Sequence, residues 1–136
     1  MKRIGTLMLA SVALMSLVFV AGAAGHNVKY DSTVTAKYKK EGKDPATDPA
    51  IFSGIVDSAK ASCKTDRKVN LRLRAQDGSS SAVATDQTDS AGAWEIRQAS
   101  FPAGTYFAQA GKKVLRKNSN HRHICKKAVS ADVTVK

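Results

Sequence analysis

The sequence predicts an all-β fold, a seven- to eight-stranded antiparallel sandwich preceded by an N-terminal signal peptide. Three observations lead there. Polarity alternates residue by residue through most of the chain, as strands with one buried face require. Clusters of Gly, Pro, Asp, Ser and Asn interrupt the alternation at short intervals. Beyond the first two dozen residues, no stretch carries the spacing of an amphipathic helix. Strands that each bury one face need a second sheet to cover that face.

Val28, Tyr30, Val34, Ala36 and Tyr38 alternate with polar neighbours and predict an N-terminal strand. "KKEGKDPATDP" breaks the pattern with Gly42, Pro45 and Pro49 and reads as a linker. "IFSGIV" resumes it, with Phe52 and Val56 on one face. In "VNLRLRAQ", Val69, Leu71, Leu73 and Ala75 point inward and Asn70, Arg72, Arg74 and Gln76 outward. "DGSSS" turns the chain, "AVATDQT" returns it, "DSAG" turns it again, and "AWEIRQ" buries Trp94 and Ile96. After the turn "FPAG", "TYFAQA" places Tyr106, Ala108 and Ala110 together. A basic stretch "KKVLRK", a loop "NSNHRH" and a last strand in "AVSADVTV" complete the series. The expected core is Phe52, Val56, Val69, Leu71, Leu73, Trp94, Ile96, Tyr106, Val133 and Val135.

Lys2 and Arg3 precede an apolar stretch of 14 residues, Leu7 to Val20, followed by Ala21 and Ala23 in an Ala-x-Ala arrangement. That is the plan of a secretory signal peptide, and the stretch is short of the about 20 residues a bilayer-spanning helix needs. The expected organisation is a signal peptide over 1–24, an N-terminal strand and linker over 25–50, and the β-domain over 51–136. A secreted, extracellular protein follows, with no stable membrane insertion after cleavage. In an oxidising compartment the two cysteines, Cys63 and Cys125, pair by default.

The formal net charge is +11. Lys112, Lys113, Arg116, Lys117, Arg122, Lys126 and Lys127 fall in one stretch that contains no acid. A field of that sign favours an anionic surface polymer or a protein partner with an acidic face. The stretch lacks the interleaved aromatics that stack bases, so no nucleic acid is expected. Neither a G-x-S-x-G elbow nor a G-x-x-x-x-G-K-[ST] loop occurs, and no enzyme activity or cofactor is expected.

Four pieces in order carry a family resemblance: Gly54–Val56, Val69–Leu71, Thr88–Asp89–Gly92–Trp94 and Pro102–Gly104–Tyr106. Over residues 51 to about 110 the chain resembles prealbumin-like modules, a group that includes carboxypeptidase regulatory-like, transthyretin-like and collagen-adhesin B-type repeats. The resemblance implies a prealbumin- or immunoglobulin-like sandwich serving as a binding or structural module. It does not imply the hydrolase activity of the urate-pathway members, whose closing motif is replaced here by "DVTVK".

Two clusters raise the question of chemistry. Asp89 and Glu95 lie within "TDSAGAWEI" and Asp86 just before it, but their spacing is not that of a calcium loop, and the segment reads as a hairpin turn. "HRHIC" would project His121, His123 and Cys125 to one strand face, a candidate zinc or copper triad if Cys125 were reduced. His26 joins this alternative reading of a small exported metal-binding protein, because cleavage after Gly25 would make it the amino-terminal residue.

Overall fold

A computed structural model describes residues 25–44, 47–118 and 120–136. The expected signal peptide over 1–24 lies outside the described residues. Among the described residues twelve strands are formed: β1 (His26–Tyr30), β2 (Thr33–Val34), β3 (Lys37–Lys40), β4 (Ala50–Asp57), β5 (Lys68–Arg74), β6 (Ser80–Gln87), β7 (Ala93–Gln98), β8 (Gly104–Ala110), β9 (Lys113–Lys117), β10 (His121–Cys125), β11 (Ala128–Val129) and β12 (Val133–Val135). The one helical element among the described residues is a 3-10 turn at Ala61–Cys63. The chain is all-β.

The strands form three sheets. One runs β11-β8-β5-β6, with β12 also on β8; a second runs β2-β4-β3, with β7 also on β4; a third runs β1-β10-β9. Buried residues of the first two sheets meet in one cluster. Val69, Leu71, Tyr106, Ala108, Ala110 and Val135 come from the first sheet, and Val34, Ala50, Phe52, Val56, Trp94 and Ile96 from the second. Of the ten expected core residues, Leu73 and Val133 are only partly buried, each packed against the cluster. Phe101, in the segment read as the turn "FPAG", is also buried there. Its ring stands edge-on to Phe52, with centroids 4.8 Å apart, a favoured aromatic geometry.

Three expectations need correction. The N-terminal alternation is divided among β1, β2 and β3, because β1 pairs with β10 while β2 and β3 pair with β4. The β1–β10 pairing is parallel, not antiparallel. No hairpin joins these strands, and the long intervening chain permits either direction. Finally, His121 to His123 belong to strand β10 rather than to a loop.

The segment "AVSADVTV" forms two short strands, β11 and β12, separated at Ser130. There the Ser130 hydroxyl accepts from the Ala108 amide at 2.9 Å, standing in for a ladder bond. "TDSAGAWEI" is a tight turn as expected. Asp89 Oδ1 accepts from the amides of Ala91 and Ala93, and Gly92 takes φ +86°. A Cβ at Gly92 would lie 2.2 Å from the Val56 carbonyl oxygen.

Two devices that fasten the third sheet to the rest lie side by side. Cys63 and Cys125 form a disulfide with Cα atoms 5.5 Å apart. In the chain-entropy view, closing a loop of this length stabilises by about 4 kcal/mol. Beside it lies Arg67, only 1% exposed. Its guanidinium donates to the carbonyls of Cys63, Gly111 and Lys126 and to the Ser32 hydroxyl, at 2.7 to 3.0 Å. Burial pushes its pKa down from the ordinary arginine value.

Replacing Arg67 with Met leaves those carbonyls without their donor, and each buried acceptor left unsatisfied costs about 1–3 kcal/mol. Urea denaturation should show that loss as a lower midpoint, while Arg72→Met on the outer face of β5 should change the midpoint far less. Gly92→Ala combines a left-handed φ with a backbone clash, and should cost about 1–3 kcal/mol in the same assay.

Candidate functional site

Alternation along β5 and β8 directs one set of side chains into the core and the other set outward. On the outward side, Arg72 lies opposite Phe107 in the ladder, and Gln109 lies opposite Val129 of β11. These residues, with Arg74, Ser80 and Lys127, line an open groove of about 540 Å³. Arg74 lies over the Phe107 ring, 4.4 Å from its centroid, in cation–π geometry. It also makes a forked ion pair with Asp132, with N–O distances of 2.9 to 3.0 Å. That hydrogen-bonded pairing raises the Arg74 pKa. Arg72 donates to the Ser80 hydroxyl and carbonyl, which fixes the direction of its guanidinium. Val129 is 50% exposed beside Lys127.

The groove takes only one member of the expected basic stretch, Lys127. Lys112 lies between β8 and β9 and is exposed. Lys113 is turned inward, its Nζ donating to the Thr65 carbonyl at 2.5 Å. Lys126 pairs with Asp31 at 2.7 Å, and its carbonyl serves Arg67. Arg116 and Lys117 are exposed on β9, opposite His123 and Arg122 of β10. Arg122 is half-buried, with its Nε unpartnered. The seven cations are therefore spread over two strands and two connections, and some are already occupied by internal partners. The contribution of Arg72 and Arg74 is legible in the sequence as two outward positions of one strand.

The carboxylates Asp86, Asp89 and Glu95 line a second open cleft of about 740 Å³, together with Asp66 and Trp94. Their oxygens are used locally. Asp89 caps its turn, Asp86 accepts from the Glu95 amide at 2.7 Å, and Glu95 pairs with Arg97 at 2.5 Å.

The third cluster is histidine. The β1–β10 register sets His26 opposite His121 and Val28 opposite His123. The His26 ring is 4.2 Å from that of His121 and 5.8 Å from that of His123, centroid to centroid. The His121 Nδ1 lies 2.6 Å from the Asn120 carbonyl oxygen, and Tyr30 Oη is 3.5 Å from His123 Nδ1. Desolvation, then His26, Arg116 and His123, lower the His121 pKa. Cys125, expected as a third ligand if reduced, is in the disulfide and cannot serve.

Comparison with protein-family models, curated proteins and solved structures finds no match for this chain. Among the described residues, no helix is long and apolar enough to cross a membrane.

Proposed function

We propose that this is an exported, non-enzymatic binding module of prealbumin- or immunoglobulin-like sandwich type, which holds an anionic surface polymer in the groove over β5, β8 and β11. The observation that carries this reading is the groove itself. Arg72, Arg74 and Lys127 converge there around Phe107 and Val129, on a sheet face that the core does not use. Guanidinium groups suit sulfate, phosphate and carboxylate, and the apolar floor offers contact to the uncharged parts of a polymer.

Several features support the sandwich reading. The four pieces of the prealbumin resemblance fall on β4, β5, the β6–β7 turn with β7, and the approach to β8. Tyr106 donates from its hydroxyl to the Pro102 carbonyl at 2.7 Å, four residues upstream, like the tyrosine corner of such sandwiches. The disulfide suits an extracellular setting.

The test is elution from a sulfated-polysaccharide matrix in a salt gradient, since such contacts weaken as salt screens them. Arg72→Ala combined with Lys127→Ala should elute at clearly lower salt than the parent. Lys39→Ala with Lys40→Ala on β3, an equal change in charge, should leave elution near the parent value. Equal loss from both pairs would reduce the binding to net charge and overturn the proposal. Asp132→Ala releases Arg74 from its ion pair and should move elution to higher salt. Its effect on stability should be small in urea denaturation, as for other exposed pairs.

A further inference from the structure

We propose that His26, His121 and His123 constitute a binding site for a divalent transition-metal ion of the zinc, copper or nickel class. The site lies on the third sheet, and the inference does not depend on the anion groove.

The argument starts from strand geometry. Residues 121 and 123 share one face of β10, about 6.7 Å apart at the usual rise of a strand. His26 occupies the same face of β1, directly opposite His121. Three imidazoles thus sit at adjacent positions of one two-stranded surface. Two imidazoles on one ion at about 2.0–2.1 Å from each nitrogen hold their ring centres about 5 Å apart. The separations of 4.2 and 5.8 Å found here bracket that value.

The orientation of the His121 ring points the same way. A carbonyl oxygen can only accept, so the short contact with Asn120 assigns the proton of His121 to Nδ1. Its Nε2 then carries the free lone pair, the arrangement that backbone carbonyls impose on metal-ligating histidines.

Among the described residues, no group of three or more His, Cys, Asp or Glu is arranged to hold a metal ion as it stands. Closing the site requires side-chain rotation. His26 is exposed and can rotate without repacking the core.

The ligand chemistry also selects the ion. A neutral all-imidazole set suits zinc, copper and nickel and is poor for calcium and magnesium, which take oxygen ligands. Arg116 faces His123 from β9, so a bound cation meets a like charge, and the ion should remain exchangeable.

The experiment is isothermal titration of Zn²⁺, Cu²⁺ and Ca²⁺ into the full chain, expressed without a histidine tag, at pH 7.5. Saturable one-to-one binding of Zn²⁺ and Cu²⁺, with none for Ca²⁺, is expected. His121→Gln and His123→Gln should each weaken binding at least tenfold, and His26→Gln should do the same. Circular dichroism of each variant checks that it is folded. Electron paramagnetic resonance of the Cu²⁺ form should show nitrogen hyperfine structure that diminishes in each variant. The proposal is overturned if neither ion saturates, or if folded His121→Gln and His123→Gln bind as the parent does. Binding that persists in those two variants and vanishes only in His26→Gln would also sink it, by placing the ion at the amino-terminal segment alone.

Discussion

A buried guanidinium with no acid beside it governs how the parts of this molecule are joined. Arg67 satisfies the carbonyls of Cys63, Gly111 and Lys126, which belong to three different connections, and it holds Ser32 just before β2. The positive charge is balanced by backbone dipoles and a hydroxyl instead of a carboxylate. Such an arrangement works only if every donor is used, because an unpaired charged group in a dry site is costly. Arg67 also sits where its own backbone meets Thr88. The Arg67 amide donates to the Thr88 hydroxyl at 2.8 Å, and that hydroxyl donates in turn to the Lys64 carbonyl. The knot therefore reaches from the 3-10 turn to the hairpin turn that presents Trp94. With the disulfide next to it, it determines where β10 lies, and so where the histidines of β10 meet β1.

Glycine serves the same end at the other side of the core. Gly54 lets the Thr35 carbonyl pass where a Cβ would lie 1.9 Å from it, and 2.8 Å from the Trp94 indole nitrogen. The chain between β2 and β3 can thus pass close over Gly54, beside the indole of Trp94, which is only 2% exposed. That nitrogen has no hydrogen-bond partner, so packing of the indole outweighs the loss of its polar contact.

Much of this was legible in the residues, and what was not has physical causes. Alternation located β4, β5, β7 and β8 together with most of the core, because strands buried on one face must show it. The turn chemistry of Asp89 and Gly92 is local and was equally readable. Phe101 was missed because Pro102 and Gly104 mark a turn without saying that the residue before it is buried. His121 and His123 looked like loop residues because polar residues on a small sheet leave no hydrophobic rhythm. The pairing partner of β1 could not be read at all, since a parallel partner some ninety residues away is fixed by tertiary packing. The groove over β5, β8 and β11 was half visible. Arg72 and Arg74 declare an outward face, while the approach of Lys127 and Val129 depends on β11 folding back onto β8.

The placement of β1 carries a consequence for the order in which the molecule comes apart. It is held in its sheet by a single ladder to β10, most of its residues are exposed, and it adds nothing to the central cluster. Its neighbour is tethered by the disulfide and cannot leave with it. The first strand can therefore detach while everything else stays native, so its amides should trade hydrogen for deuterium long before those of β5 and β8. Any ligand that bridges the two strands would close that lowest-energy opening and slow the exchange there alone.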